Sequence, residues 1–302
     1  MKAILPVAAK GSRLLPHTGG RQKSLLPVGG KPVLGHVLDP LMAAGITDLT
    51  LIVGHLGKQV EEYMQAYAQA EVSIVYQYQQ KGLAHAVLLG LEEVDQPALI
   101  VLGDAVYDVD YEPIINGSGN IIAIYEVENP SAYGIVETAG KRVLDMAEKP
   151  DRPQSNQAIV GIYKIESQAQ LKSAIGDMMA DEQRYAAPYQ LTDALKMMLD
   201  GGAPFRAETV SAWHDCGTLE TLLATNQYIL EKQGGSYCHP AAAVADSTIR
   251  HSSIMEGCEI SRSLIDHAIV LPGAKLDKCS VRNEIIRSGA RLNGYVSGQQ
   301  NI

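Results

Sequence analysis

The sequence lacks features that several classes of protein require. Its 302 residues include one tryptophan and one phenylalanine, too few for an aromatic platform that stacks single-stranded nucleic acid. The formal net charge of −9 also argues against nucleic acid as a general partner, because its phosphates would be repelled. No apolar run approaches the roughly 18 residues of a membrane span, and no signal-peptide pattern opens the chain. We therefore expect a cytoplasmic protein that binds neither nucleic acid nor a membrane.

The sequence also has no C-x-x-C pair. Its four cysteines are Cys216, Cys238, Cys258 and Cys279. Without paired spacing a structural zinc site is not expected, and the cysteines are predicted to be buried, reduced thiols.

Apolar runs alternate with amphipathic stretches in the first half of the chain. The predicted strands are 3–7, 49–54, 72–76 and 98–102, and the predicted helices between them include 58–70 and 83–93. This alternation is typical of an α/β fold with a mostly parallel sheet, covered by helices on both faces. Ligands of such sheets bind at the carboxyl ends of the strands. Shorter strands between residues 121 and 165 predict an extension of the sheet.

A repeat begins after residue 237. An aliphatic residue recurs every five or six positions from Val244 to Leu292, and Gly257, Gly273 and Gly289 are spaced by 16 residues. Three such steps per 16 residues describe a triangular coil with three short sides. The pattern predicts a short left-handed β-helix of about three coils.

The first strand leads into a turn that could bind phosphate. The turn contains Gly11, and Arg13 and Lys23 follow it. Backbone N–H groups at such a turn can point at an anion, and the two cations can bind phosphate oxygens. With a single glycine, however, an ordinary strand–turn–helix segment with two solvated cations is the simpler interpretation.

The same stretch resembles the signature of the sugar-phosphate nucleotidylyltransferases, Leu/Pro-Ala-Ala-Gly-x-Gly-Thr-Arg-Leu followed by x-Pro-x-Thr-x-x-x-Pro-Lys-x-Leu-Leu-Pro-Val. The residues in register are Gly11, Arg13, Leu14, Pro16, Thr18, Lys23, Leu25, Leu26, Pro27 and Val28. Ala9 stands in place of a glycine, Gln22 in place of a proline, and Ser12 in place of threonine. The resemblance implies that Ala8, Ala9, Gly11 and Ser12 bind the nucleotide. Ordered motifs extend it over roughly residues 1 to 230.

Two aspartates are candidate metal ligands. Asp104 follows the fourth strand, and Asp215 precedes Gly217-Thr218. Two carboxylates at strand ends suit Mg²⁺ that bridges phosphates, although each alone could equally cap a turn or helix. The resemblance implies that both bind Mg²⁺.

A polar residue at the end of the third strand is a candidate for base recognition. Gln77, five residues before Gly82, resembles the family's base-recognising loop, although Tyr78 and Gln79 replace prolines often found there. A primary amide can both donate to and accept from a pyrimidine edge. The alternative is a polar residue that ends an edge strand.

Further motifs resemble the sugar-binding parts of the family. They are Tyr133-Gly134, Glu148-Lys149-Pro150 and Tyr163. The resemblance implies that Glu148 accepts hydrogen bonds from sugar hydroxyls, that Lys149 contacts the sugar phosphate and that Tyr163 shapes the pocket. By itself, a Glu-Lys pair is usually a solvated turn.

Together the resemblance implies a Rossmann-like mixed sheet of the nucleotide-diphospho-sugar transferase type. Residues 1–235 would form the catalytic domain and residues 236–302 the β-helix extension, in a homo-oligomer. The implied reaction transfers a nucleoside monophosphate from dTTP or UTP, with dTTP favoured, to a hexose 1-phosphate such as glucose 1-phosphate. Pyrophosphate is released, and Arg13, Lys23 and Lys149 would be catalytic.

Two other functions remain open. The substitutions at Ala9 and Gln22 would suit a regulatory homologue that senses nucleotides or sugar phosphates, because a methyl group at position 9 restricts the backbone. The β-helix would suit an acyltransferase, but His239, His251 and His267 show no evident catalytic arrangement in the sequence.

Overall fold

The computed structural model describes residues 1–15, 18, 20–181, 183, 185 and 187–298. The motif residue Pro16 and the last four residues of the predicted extension therefore lie outside the described residues. The chain divides into two compact units. The sheet unit contains residues 1–9, 37–103 and 107–213, and the solenoid unit contains residues 10–36, 104–106 and 214 onward.

The strands before the repeat are, in chain order, β1 Lys2–Pro6, β2 Pro27–Val28, β3 Lys31–Pro32, β4 Asp48–Val53, β5 Glu71–Tyr76, β6 Ala98–Val101, β7 Ala105–Asp108, β8 Asn120–Glu126, β9 Gly134–Ala139, β10 Arg142–Glu148, β11 Gln157–Ile165, β12 Phe205–Thr209 and β13 Ala212–Asp215. The α-helices are α1 Val33–Ala43, α2 Gly57–Met64, α3 Leu83–Gly90, α4 Glu112–Ile115, α5 Gln168–Ala180, α6 Leu191–Asp200 and α7 Leu219–Lys232. Among the described residues, no helix is long and apolar enough to cross a membrane.

Nine strands form the main sheet, in the order β5-β4-β1-β6-β11-β8-β12-β10-β9. The first four are parallel neighbours, as the βα alternation predicts. From β11 onward the pairing is antiparallel except between β8 and β12. The α/β fold with a mixed sheet is confirmed, with its parallel part in the first half of the chain. Strands β7 and β13 form a separate two-stranded sheet.

Two helices are shorter than the apolar periodicity predicts. Helix α2 ends at Met64 rather than at residue 70, because the next residues form turns whose N–H groups bond three residues back. Helix α3 ends at Gly90 rather than at residue 93. A Cβ atom on Gly90 would lie 2.9 Å from Ile4 Cγ2, so this glycine lets the helix end pack closely on β1.

The repeat folds as a β-helix. Its strands are β14 Tyr237–Cys238, β15 Ala243–Ala245, β16 Thr248–Arg250, β17 Ser253–Ile254, β18 Glu259–Ser261, β19 Leu264–Asp266, β20 Ile269–Val270, β21 Lys275–Asp277, β22 Ser280–Arg282, β23 Ile285–Ile286 and β24 Arg291–Asn293. They form three parallel sheets, with each strand paired to the strand 16 residues later. The predicted 16-residue coil is confirmed, whereas its left-handed sense stays a prediction. Gly257, Gly273 and Gly289 have φ of +65°, +73° and +67°, a left-handed conformation that favours glycine.

The β-helix shares a hydrophobic core with the N-terminal segment 10–36 inside the solenoid unit. The buried members of this core are Leu14, Leu26, Val28, Val33, Val106, Cys216, Leu222, Ile229, Ile269, Leu271 and Ile285. Asn226 of α7 adds polar links, since its Oδ1 accepts hydrogen bonds from Gly29 N at 2.8 Å and Ser253 Oγ at 2.6 Å. The extension therefore packs on its own chain. The predicted boundary after residue 235 and the predicted oligomer stay predictions.

The cysteines agree with the sequence analysis except at one position. All four thiols are free in the described part of the chain, and Cys216, Cys258 and Cys279 are buried. Cys238 is exposed, so the prediction that it is buried is wrong. It lies in the first coil of the β-helix, where no preceding coil covers the strand.

Candidate active site

The segment predicted to bind phosphate forms two short 3-10 turns, Ser12–Leu14 and Lys23–Leu25. Gly11 starts the first turn with φ of +64°, and a Cβ atom there would lie 3.0 Å from Lys23 Cβ. Gln22 caps the second turn, because its Oε1 accepts hydrogen bonds from Ser24 N and Ser24 Oγ, both at 2.6 Å. The departure from the family pattern at position 22 thus has a structural role that holds Lys23 in its turn.

Lys23 is buried and paired with Asp104. Its Nζ donates to Asp104 Oδ2 at 2.8 Å, and its side chain is only 7% exposed. Burial alone would lower the pKa of Lys23, but the charge of Asp104 and this hydrogen bond outweigh it, so that the pKa is raised. Lys23 therefore stays protonated in the interior, which excludes the interpretation of a solvated lysine.

Asp215 extends this cluster. Burial raises the pKa of the Asp215 carboxyl, the positive charge of Lys23 lowers it and the negative charge of Asp104 raises it again, with a net increase. Backbone pairing links the two segments, since Cys216 N donates to Asp104 O at 3.2 Å. A half-buried carboxylate that is repelled by a second one is a setting that favours a bound cation.

Gly217 leaves room for this cluster. A Cβ atom at position 217 would lie 2.8 Å from Asp215 Oδ2 and 3.0 Å from Arg13 Nη2. The glycine thus lets the carboxylate and the guanidinium approach the same stretch of backbone. Four predicted residues, Arg13, Lys23, Asp104 and Asp215, come together in the solenoid unit.

The alternative in which Asp215 caps the following helix is not what the structure shows. Thr218 is the N-cap of α7, because its Oγ1 accepts from Thr221 N at 3.2 Å while Thr221 Oγ1 accepts from Thr218 N at 3.0 Å. This reciprocal capping box leaves the Asp215 carboxylate for other partners.

In the sheet unit, Gln77 holds its own loop. It is 5% exposed, and its Nε2 donates to Gly82 O at 3.1 Å and contacts His85 Nδ1 at 2.9 Å. The carbonyl of Gly82 can only accept, which fixes the orientation of the amide. The amide nitrogen, which we expected to donate to a pyrimidine, is therefore engaged within the protein.

The same loop contacts the end of β1 and the segment before α6. Gln80 Nε2 donates to Ala8 O at 2.9 Å. Gly82 has φ of +108°, and a Cβ atom there would lie 2.3 Å from Tyr189 O. A side chain at position 82 would collide with backbone, which explains the glycine. Ala9 is exposed and is not among the residues with positive φ, so its methyl group strains nothing in this conformation.

The predicted sugar-binding residues meet at the ends of β9 and β10. Glu148 Oε2 accepts a hydrogen bond from Thr192 Oγ1 at 2.9 Å, and Lys149 Nζ lies 3.4 Å from Glu148 Oε1. A Cβ atom on Gly134 would lie 3.0 Å from Glu148 Oε2. Lys149 has φ of +42° and a side chain that is 59% exposed, so its ammonium group is accessible to a ligand.

Aromatic residues complete this part of the sheet unit. The rings of Tyr133 and Trp213 meet edge to face at 4.9 Å, and Trp213 Nε1 is buried without a hydrogen-bond partner among the described residues. Tyr163 is buried, and this burial, together with the charge of Glu148, raises the pKa of its phenol. Thr192 lies in the stretch 189–193, whose resemblance to the family implies that it shapes the pocket. Trp213 was not predicted as a site residue, and its position two residues before Asp215 was the available signal.

Comparisons with known proteins agree with these motifs. A family model described as nucleotidyl transferase matches residues 2–232. The low-salt glycan biosynthesis nucleotidyltransferase Agl11 of Haloferax volcanii is 32% identical over 243 residues, 76% of this chain and 66% of that protein. A glucose-1-phosphate thymidylyltransferase of Streptomyces antibioticus is 30% identical over 250 residues, 76% of this chain and 67% of that protein. The bifunctional protein GlmU of Methanocaldococcus jannaschii is 28% identical over 233 residues, 77% of this chain and 55% of that protein. The chain thus spans about half to two thirds of the length of these relatives.

Solved structures share the fold. A Bacillus anthracis protein described as a candidate glucose-1-phosphate thymidylyltransferase, in complex with sucrose, matches with a TM-score of 0.67 and 26% identity over 76% of this chain and 95% of that chain. A UDP-glucose pyrophosphorylase in complex with UDP-glucose matches with a TM-score of 0.65 and 24% identity over 76% of this chain and 98% of that chain. Because the family model covers well over half of the sequence, the chain belongs to the nucleotidyl transferase family.

Proposed function

We propose that the protein is a sugar-1-phosphate nucleotidylyltransferase, which transfers a nucleoside monophosphate from dTTP or UTP to glucose 1-phosphate or a similar hexose 1-phosphate. The observation that carries the proposal is the cluster of Arg13, Lys23, Asp104 and Asp215, in which Lys23 Nζ lies 2.8 Å from Asp104 Oδ2. It combines cations that can bind a triphosphate with carboxylates that can hold a metal ion.

The reaction needs no protein base. A phosphate monoester is an anionic nucleophile near neutral pH, and one of its oxygens attacks the α-phosphorus while pyrophosphate leaves in line. The protein has to position the reactants and offset their negative charge. Arg13 can bind phosphate oxygens in pairs, whereas Lys23 provides a buried point charge.

Asp104 and Asp215 would hold Mg²⁺, which supplies further neutralisation of charge at the phosphates of the bound nucleotide. The residues fit this ion, because two carboxylates of the solenoid unit repel each other and hard oxygen ligands are those that Mg²⁺ prefers. The hydrogen bond from Lys23 orients the Asp104 carboxylate, and Gly217 leaves space beside Asp215.

In the sheet unit, we assign Lys149 to the attacking sugar phosphate and Glu148 to the sugar hydroxyls. The accessible ammonium group of Lys149 suits an incoming anion. Thr192 donates to one oxygen of Glu148, which orients the carboxylate and leaves further lone pairs to accept from a sugar. Gly134 keeps the space beside this carboxylate open.

We propose that Gln77 contacts the base of the nucleotide through one hydrogen bond only, which its amide oxygen accepts. Its amide nitrogen is engaged with Gly82 and His85, so only its oxygen would accept from the N3–H of a pyrimidine. Thymine and uracil carry that hydrogen, whereas cytosine does not. The name of the Streptomyces antibioticus relative supports dTTP as the donor and glucose 1-phosphate as the acceptor.

The two substitutions that suggested a regulatory homologue, Ala9 and Gln22, both have a structural explanation. Gln22 caps the turn that holds Lys23, and Ala9 is accommodated without strain. A sensor would bind both ligands without turnover, whereas an enzyme would release pyrophosphate.

Pyrophosphate release, measured over a grid of nucleoside triphosphates and sugar 1-phosphates, tests the proposal. We expect dTTP and UTP to exceed CTP and ATP by roughly tenfold or more in kcat/KM, because a hydrogen-bonded edge contributes about 1–3 kcal/mol of discrimination. A preference for ATP or GTP would contradict the assigned donor, and binding without any turnover would favour the sensor.

The two aspartates should have opposite effects on stability when no divalent cation is present. Asp215→Asn should raise the unfolding temperature at neutral pH, because burial holds the pKa of Asp215 above its ordinary value and its charge opposes folding. Asp104→Asn should lower the free energy of unfolding by roughly 1–3 kcal/mol, because the buried Lys23 loses its partner. Thermal unfolding followed by circular dichroism measures both effects.

The effect of Asp215→Asn on the free energy of unfolding should depend on pH. A carboxyl whose pKa is raised by folding contributes stability at low pH that is lost as the pH rises through its folded pKa. The advantage of Asp215→Asn should therefore be absent in acid and grow toward neutral pH. An advantage that does not vary with pH, or an Asp104→Asn variant as stable as the unmodified protein, would count against this description of the cluster.

The two lysines should separate the two substrates. Lys23→Ala should weaken dTTP binding more than glucose 1-phosphate binding, and Lys149→Ala should do the reverse, each by about tenfold for the loss of a charged contact. Calorimetric titration with single ligands measures these affinities. Lys141→Ala is the matched control, since this exposed lysine pairs with Glu208 and should change neither affinity. Equal losses of both ligands in both variants would mean that the two assignments are wrong.

A further inference from the structure

Two histidines lie together on one corner of the β-helix. His251 and His267 occupy equivalent positions of successive coils, and their ring centroids are 4.6 Å apart. Both have a left-handed backbone, with φ of 44° and 49°. The third histidine of the repeat, His239, has a different environment, because its Nδ1 accepts from Ala241 N.

A carboxylate converges on this pair. Asp266 Oδ1 lies 2.8 Å from His267 Nδ1 and 3.6 Å from His251 Nδ1. The ligand atoms that the three side chains offer all lie within 4.8 Å of one another. The other oxygen, Asp266 Oδ2, lies 3.2 Å from Arg282 Nη2, so that the guanidinium and the histidines contact different oxygens of the carboxylate.

We propose that His251, His267 and Asp266 bind a divalent transition-metal ion of the zinc class on the surface of the β-helix. Two imidazoles and one carboxylate are a donor set typical of Zn²⁺, Co²⁺ and Ni²⁺. Ligands about 2.1 Å from a tetrahedral ion lie roughly 3.4 Å from each other. The two nitrogen–oxygen distances on Asp266, 2.8 and 3.6 Å, lie on either side of that value, so each of these two pairs needs a shift of less than 1 Å. The two histidine nitrogens lie within 4.8 Å of each other, and rotation of the exposed His251 side chain would bring them closer.

The backbone holds the ligands in place. Arg250, Asp266 and Arg282 are paired residues of β16, β19 and β22, and His267 N donates to Arg250 O at 3.1 Å. Ser252 Oγ accepts from Ala268 N at 3.0 Å, directly after the second histidine. A site on such a regular ladder is pre-organised, which favours a defined coordination geometry.

Exposure leaves a coordination position open. The side chains of His251 and His267 are 49% and 34% exposed, whereas that of Asp266 is 14% exposed. The bound ion could therefore take a water molecule, or a donor group of another molecule, as a further ligand. Its imidazole ligands also distinguish this site from Asp104 and Asp215, whose carboxylates suit Mg²⁺.

The backbone bend and the nearby Arg282 both affect how this site would bind a metal ion. Histidine and asparagine both tolerate left-handed backbone, and Asn283 occupies the same bend in the next coil with φ of 52°. The bend thus explains the residue type, but it does not explain why both rings face one carboxylate. The positive charge of Arg282 opposes a second cation, so we expect weaker binding than at an enclosed four-ligand zinc site.

Titration of the full-length chain with Co²⁺ tests the proposal. The protein is used without an affinity tag and as Cys238→Ser, because the exposed thiol could bind metal by itself. Excess Mg²⁺ is present to occupy oxygen-ligand sites. We expect one equivalent of Co²⁺ to bind, detected by its visible d–d absorption, and Zn²⁺ to displace it.

The matched variants are His251→Asn and His267→Asn, since asparagine already occupies this bend at position 283. Each should weaken Co²⁺ binding about tenfold or more, because one of three ligands is lost. His239→Asn is the control and should bind as the parent does. Absence of saturable binding, or equal affinity in all variants, would overturn the proposal.

X-ray absorption at the zinc edge gives a result that does not depend on the stability of any variant. In the chain with all four cysteines, loaded with one equivalent of Zn²⁺, we expect only nitrogen and oxygen ligands, with the scattering pattern of two imidazoles. A sulfur ligand, or a spectrum without imidazole, would place the metal elsewhere and overturn the proposal.

Discussion

The ion pair between Lys23 and Asp104 is the interaction on which the candidate nucleotide site depends. A lysine that is 7% exposed is stable in its charged form only beside an anion, because burial of an unpaired charge is costly. The surroundings fit this requirement: Gly11 leaves space beside the Lys23 side chain, and Gln22 caps the turn in which it lies. Asp215, whose pKa is raised, adds the excess negative charge that a divalent ion can offset.

The β-helix contributes to this site through packing. Leu14, the last residue of the turn that carries Arg13, and Leu26, directly after the turn that carries Lys23, share a buried core with Leu271 and Ile285 of the coils. In the solenoid unit, the segment that carries Arg13 and Lys23 thus has part of its hydrophobic support from the extension. A catalytic domain limited to residues 1–235 would lack these contacts. The corner that carries His251 and His267 gives the same extension a second, chemically different role in our proposals.

Much of the fold follows from local pattern, whereas the partners of the site residues do not. The 16-residue spacing of Gly257, Gly273 and Gly289 predicted the coil, because each coil repeats the same bend. Apolar runs predicted the parallel strands. The ends of α2 and α3 could not be predicted from apolar periodicity, because one depends on the turns that follow and the other on contact with β1. The burial of Lys23, the engagement of Gln77 with Gly82 and the approach of His251 to Asp266 all require residues that are brought together by folding.

The most direct test of the central claim is the binding of Mn²⁺, a substitute for Mg²⁺, in the presence of dTTP. Electron paramagnetic resonance would compare the unmodified protein with Asp215→Asn, two proteins that differ only at that carboxylate. If Asp215 holds the metal, the affinity for Mn²⁺ should fall by about tenfold or more, although the variant folds at least as stably. Equal Mn²⁺ affinity in the two proteins would contradict the assignment of this cluster as the metal and triphosphate site.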